Sequence, residues 1–156
     1  MVFEVQADSL ESYFEFDPRR RSELEKVDSL IRRAAPGLGR YFHRGTPAGQ
    51  AGMRLKMIGY GQFRYAVTSG KQVLWPVIGL ALQKNYISLY FAVTFQGRPV
   101  TALYTGRLGA LRAGRNNFSF ERFSDLDADA LETLVTRSAE IFEAEPDNPV
   151  RYKQSS

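Results

Sequence analysis

The chain contains no cysteine and a single histidine, His43. Disulfides, thiolate metal ligation and cysteine nucleophiles are therefore excluded, and a His-based metal site or a Ser-His-Asp triad within one chain would have to rest on that one imidazole. Long apolar runs are missing too. The longest, around "PVIGLAL", falls far short of the roughly 20 residues of a membrane-spanning helix and reads as a buried strand. The first twenty residues lack a basic start followed by an apolar stretch, so no secretory signal is read and a cytoplasmic location is expected.

The most informative absence is of negative charge. No Asp or Glu occurs between Asp28 and Glu121, a stretch that carries 13 Lys and Arg. The residues before it hold 4 basic and 8 acidic side chains and those after it 4 and 9, for a formal net charge of +4. All 13 glycines lie within the same stretch, from Gly37 to Gly114. The acidic ends thus read as helices and the basic middle as strands and turns. A length of 156 residues suits one compact domain, taken as residues 1–145 with a mobile tail over 146–156.

Local signals fill in that outline. A short helix is expected around Ser9 to Phe14. A longer one follows, with Asp17 as N-cap and Pro18 in the first position, apolar residues at Leu24, Val27, Leu30 and Ile31, and Pro36 and Gly37 as the stop. The closing helix starts near Asp127 or Asp129, runs through Leu131, Leu134, Val135 and Phe142, and ends before Pro146. Between them "MIGYGQFRYAVT", "QVLWPVIGLAL", "YISLYFAVTF", "PVTALYT" and "NFSFERF" read as strands separated by turns, and "PGLGRYFHRGTPAGQAGM" as a long, flap-like loop. The expected fold is α+β, an antiparallel sheet of about five strands flanked by N-terminal and C-terminal helices.

Catalytic and metal motifs fail on inspection. "GALRAGRN" from Gly109 has the glycine spacing of a phosphate loop, but Arg115 and Asn116 replace its Lys and hydroxyl, and a strand rather than a helix follows; it reads as a turn capped by cations. "DLDADALE" from Asp125 resembles a calcium loop until position six, which is Ala130, and position twelve, which is Thr136; it reads as a helix N-terminus. His43 reads as a loop histidine without special role, and no cofactor and no tightly held transition metal are expected.

What remains is the sheet. With regular alternation Ile87, Leu89, Phe91 and Val93 face the core together with Phe118 and Phe120, while the opposite parity carries Tyr60, Gln62, Arg64, Trp75, Tyr86, Ser88 and Tyr90. Tyr60, Arg64, Trp75, Lys84, Tyr86, Tyr90, Arg112 and Arg115 are accordingly the candidate ligand-binding residues, with Lys71 adding charge. Such a face suits an anionic small molecule or a protein partner, or stacked bases of a nucleic acid. The alternative is that a loop or helix covers it and the tyrosines are satisfied internally.

The order of Gly59-Tyr60-Gly61, Ser69-Gly70, Trp75, Lys84, Leu89-Tyr90, Leu108-Gly109 and Gly114-Arg115 resembles the bacterial YdhG-like domain of unknown function over roughly residues 10–142. The usual Pro-Arg-Lys turn is here Leu82-Gln83-Lys84, and a Lys-Thr-Gly-Lys run is here Arg112-Ala113-Gly114-Arg115. One member is described as a frataxin-like iron chaperone, so the resemblance implies iron carriage as an alternative to a non-enzymatic binding module. The acid-free sheet leaves iron only the helical acids, such as Asp125, Asp127 and Asp129. Two further readings stay open, an enzyme whose site the sequence does not display and a basic middle neutralised by acidic helices within the fold or a homodimer.

Overall fold

A computed structural model describes residues 3–45, 54–66, 70–104, 106–109, 112–114 and 116–149. The chain is an α+β domain. Helices α1 (Leu10–Glu15) and α2 (Arg21–Ala34) precede β1 (Arg40–His43), β2 (Met57–Ala66), β3 (Gln72–Leu82) and β4 (Ile87–Phe91). A small hairpin, β5 (Thr94–Phe95) and β6 (Arg98–Pro99), leads into a 3-10 turn at Val100–Tyr104, then β7 (Arg112–Ala113), β8 (Asn117–Phe120) and α3 (Ala128–Ala144). The main sheet has the order β1-β2-β3-β4-β8-β7, antiparallel throughout, with β5 and β6 apart from it.

Local chemistry accounts for most boundaries. Ser9 caps α1 by accepting the Ser12 N–H, and Asp127 caps α3 by accepting that of Ala130. The Asp17-Pro18 signal makes a turn rather than the first residues of the helix: Asp17 accepts the Arg19 N–H, the Arg20 N–H bonds the Asp17 carbonyl, and α2 begins at Arg21. Helix α2 buries Leu24, Val27, Leu30 and Ile31, and α3 buries Leu131, Leu134 and Val135. The sheet answers with Ile58, Ile78, Leu80, Ile87, Leu89, Phe91, Phe118 and Phe120, all essentially inaccessible.

Several expectations need correction. "PVTALYT" is not a strand: beyond Pro99, which has no N–H to donate, Val100, Thr101 and Tyr104 are buried at helical rather than alternating spacing. "YISLYFAVTF" is not continuous either, because the Ala92 N–H bonds the Val77 carbonyl and the chain leaves the sheet before β5. The expected loop after α2 contains β1, and of its remainder residues 46–53 lie outside the described set. Within the expected mobile tail Asn148 is buried, accepting the Thr94 N–H at 2.8 Å and donating to the Thr94 carbonyl at 3.0 Å.

The largest departure is in the shape of the β2–β3 ribbon. Arg40 meets Asp28 of α2 and the Phe42 ring meets Tyr13 of α1, so the alternating Tyr41 and His43 lie on the outer sheet face, away from the helices. In register His43 is opposite Met57 and Trp75 is opposite Phe63. An extended β2 would hold those positions about 20 Å apart, yet the His43 and Trp75 rings meet edge to face at 5.1 Å. The ribbon therefore folds back over the outer face. Its bend is at Gly61, with φ of +70°, where a Cβ would lie 3.0 Å from Leu38 Cδ2 and 3.1 Å from Val77 Cγ2.

Two stability predictions follow from this packing. Gly61→Ala should cost at least twice what Gly70→Ala costs in urea unfolding: both glycines have positive φ, worth about 1 kcal/mol to an L residue, but Gly70 has open space around it. Equal losses would mean that the bend is not crowded. Asp28, 5% exposed, accepts the Tyr60 hydroxyl at 2.6 Å and an Arg40 N–H at 2.8 Å. Tyr60→Phe should cost about 1 kcal/mol, and Asp28→Ala about 3 kcal/mol, because it strands both donors.

Candidate functional site

The β3–β4 turn is held from the helical side. Lys84 and Asn85 form its tip, closed by the Gln83 N–H to the Tyr86 carbonyl at 2.9 Å. Arg20, just before α2, donates to the carbonyls of Gln83 at 2.7 Å and Tyr86 at 3.0 Å, while its Nε bonds Asp17 at 2.8 Å. The arginine side chain is 17% exposed, so the clamp is largely shielded from water. Tyr13 fixes the adjacent backbone, accepting the Leu82 N–H and donating to the Lys56 carbonyl. Burial pushes its phenol far above the ordinary range, so it stays protonated as that donor role requires.

On the outer face this turn opens into a pocket of about 230 Å³ between β4 and the β7–β8 hairpin, lined by Gln83, Tyr86, Ser88, Tyr90, Asn117 and Ser119. Its floor is small because serine stands where a bulkier residue would fill it. Ser88 and Ser119 are cross-strand partners, and their hydroxyls bond at 3.0 Å. One hydroxyl proton serves that bond, which leaves the other for Tyr90 or a ligand. Gln83 Nε2 donates to the Tyr90 hydroxyl at 3.4 Å, a long bond. Burial raises the Tyr90 phenol above its usual pKa and keeps it neutral. Asn117 Oδ1 accepts the Gly114 N–H at 3.1 Å, which orients the amide and leaves its NH₂ for the pocket.

The eight residues expected to share one face are divided. Tyr86 and Tyr90 line this pocket, and Lys84 stands exposed in the adjoining turn, next to the lining residue Gln83. The backbone of Arg112 stands in register with Ser119, on the pocket's far side, and Arg115 lies outside the described residues. Tyr60 is on the opposite, helix-facing side, fully buried against Asp28. Trp75 is 4% exposed and serves as packing against His43. Arg64 is exposed on the folded-back ribbon, opposite the 40% exposed Leu74. Straight-strand alternation fails at Gly61, and everything beyond that bend is displaced from where counting by twos puts it. Gln83, Asn117, Ser119 and Arg20 were missed. Asn117 and Ser119 alternate with the core residues Phe118 and Phe120 and were legible on that ground; Arg20 carried no local signal.

Charge pairing between the layers is sparse. Among the described residues, ion pairs concentrate between Glu15 and Arg40, and of the acid-free stretch only Arg32, within α2, and Arg40, on β1, pair with a helical acid, in both cases Asp28. Arg64, Lys71 and Lys84 are exposed and make no ion pair with any described residue. The acids at the start of α3 are engaged as caps, Asp127 on Ala130 and Asp125 on the Arg122 N–H. No group of three His, Asp or Glu side chains able to hold a metal ion occurs among the described residues. No described helix is long and apolar enough to cross a membrane.

Comparison of the chain with family models, with curated proteins and with solved structures returns no match.

His43 is not a loop residue, as expected, but a buried one in β1, 7% exposed, whose Nε2 has no hydrogen-bond partner among the described residues. The neighbouring Tyr41 hydroxyl lies beside Gln62 without a hydrogen bond of proper geometry, and burial pushes its pKa up to about 12. Desolvation lowers the His43 pKa from 6.5 to about 4. Between those values the unfolded chain binds the proton and the folded chain does not. The contribution to stability is therefore full above pH 6.5 and is lost as pH falls toward 4, by up to about 3 kcal/mol. Because the chain has one histidine, a single imidazole resonance should titrate near pH 4 in the folded protein. A midpoint near 6.5 would mean that the ring is solvated.

Proposed function

We propose that this domain is a non-enzymatic binding module that takes an anionic small molecule at the outer-face pocket between β4 and β8. The observation that carries the reading is a neutral, polar pocket set beside Lys84, a cation that makes no ion pair with any described residue. Lys84 stands exposed in the turn that forms the pocket's edge, and Gln83, Tyr86, Ser88, Tyr90, Asn117 and Ser119 supply directional hydrogen bonds. None of these six is a carboxylate or histidine, and the Tyr90 phenol is pushed away from neutral pKa, so the lining suits recognition rather than proton transfer.

A small molecule fits better than a nucleic acid. A strand bound without sequence preference needs a series of exposed aromatic platforms, and burial removes Tyr60 and Trp75 from that role. Iron carriage has no cluster of oxygen ligands among the described residues to build on. Kinship to the YdhG-like domains is part of this proposal. It rests on motif order, and the motif glycines have physical work to do here: Gly61 makes the bend, and a Cβ on Gly59 would meet the Tyr41 ring at 2.5 Å.

Calorimetric titration with a panel of phosphorylated metabolites, and separately with a short single-stranded oligonucleotide, at low and moderate salt, tests the reading. Saturable metabolite binding with modest salt dependence is expected, and Lys84→Ala should weaken it about fivefold, near 1 kcal/mol, without lowering thermal stability. Oligonucleotide binding that falls steeply with salt would replace the reading with phosphate-backbone recognition. Binding of neither would end it.

A further inference from the structure

We infer that the pocket recognises a sugar ring, so that the ligand is a phosphorylated monosaccharide with its ring against the serine floor and its phosphate at the basic rim. The inference rests on the binding-module reading above and narrows it.

The first ground is the mixture of donors and acceptors inside the pocket. A phosphate accepts hydrogen bonds and is repelled by acceptors; a sugar hydroxyl both donates and accepts. Asn117 has its oxygen committed to Gly114 and turns its amide donors to the pocket beside the Tyr90 hydroxyl. Gln83 has its NH₂ turned to Tyr90 and offers an acceptor oxygen. The serine pair and the two tyrosine hydroxyls act in either sense. Such a set satisfies neighbouring hydroxyls on one ring and leaves a buried phosphate facing the Gln83 oxygen.

Shape gives the second ground. Tyr86, at the end of the turn, and Tyr90, on β4, stand four residues apart, about 13 Å of extended chain, with Ser88 between them and Ser119 across. A flat ring fits over the serines with aromatic surface at its sides for C–H contact. The volume of about 230 Å³ is below the roughly 300 Å³ at which pockets for drug-sized ligands begin, so one ring enters and no more. Position gives the third. Lys84 is exposed in the turn that forms the pocket's edge, so the positive charge it supplies stands at the rim and not over the serine floor. The Arg20 clamp holds the turn that carries Gln83 and Tyr86, so this edge of the pocket is formed before a ligand arrives.

Calorimetry on the full chain at one ionic strength compares hexose and pentose phosphates with the matching free sugars, inorganic phosphate and adenosine monophosphate. At least one sugar phosphate should bind ten times more tightly than either its free sugar or inorganic phosphate. Gln83→Ala, which leaves the clamped backbone carbonyl in place, and Asn117→Asp, which keeps the oxygen for Gly114 but removes the amide donors, should each reduce that binding about tenfold. Circular dichroism melting of both variants confirms that they fold. Inorganic phosphate binding as tightly as every sugar phosphate, or adenosine monophosphate binding while no sugar phosphate does, would overturn the sugar assignment and leave the anion-binding reading standing. No binding by any member of the panel would overturn both.

Discussion

The carboxylate of Asp28 is the point at which the helical layer and the sheet are tied together. It is the last acid before the basic stretch, it is buried, and it holds Tyr60 of β2 and Arg40 of β1 at once. A buried carboxylate left with one partner would be costly, so β1, β2 and α2 are committed to each other as a set. Eight residues earlier Arg20 grips the β3–β4 turn, and the two grips are about 12 Å apart along a helix. That is close to the width of the strands they span, at about 4.8 Å per strand spacing. Helix α2 thus ties β1 and β2 to the β3–β4 turn on the inner face of the sheet, and the outer face is shaped by what is left free to bend.

Segregation of charge follows from the same arrangement. The acids of the N-terminal segment cap, clamp or pair locally, and those that begin α3 satisfy backbone N–H groups. The other acids of α3, such as Glu132, Glu140 and Glu143, make no ion pair with a described residue of the sheet. The idea that the helices exist to balance the basic middle therefore has, among the described residues, one pair that joins helix to sheet, Arg40 with Asp28, beside Arg32 with Asp28 inside α2. Complementary composition along a sequence does not imply complementary contact in space, because acids near helix N-termini are already accounted for by the dipole and the unsatisfied donors there.

The sequence was most legible where periodicity is local and long. The apolar positions of α2 and α3, and β3 over Gln72–Leu82, follow directly from pattern. It was least legible where a tertiary bond decides. "YISLYFAVTF" alternates well enough to be one strand, and only the Ala92 bond to Val77 and the Asn148 bond to Thr94 break it. Val100, Thr101 and Tyr104 resemble a strand until α3 is there to bury them. At the candidate site, Lys84, Tyr86 and Tyr90 were found because they lie on an unbent strand and its turn. Arg64 and Trp75 were misplaced because a glycine that folds a ribbon back reads, in sequence, like any glycine in a strand, and Tyr60 because cross-strand register, which pairs it with the core residue Ile78, is not written in one strand's alternation.

The tyrosines show why composition alone overstates a binding face. Tyr13 and Tyr60 meet short bonds from groups the fold cannot move, a strand N–H, a carbonyl and a buried carboxylate, at 2.6 to 3.0 Å. Their hydroxyls are consumed by the structure, and a ligand would have to break a buried bond to reach them. Tyr90 meets a side-chain amide at 3.4 Å, in a partly open pocket where both groups can turn. Exchanging that bond for one to a ligand costs little. An aromatic hydroxyl is available for recognition when its internal partner is weak and movable, and by that criterion the β4–β8 side of the sheet is the face with chemistry to spare.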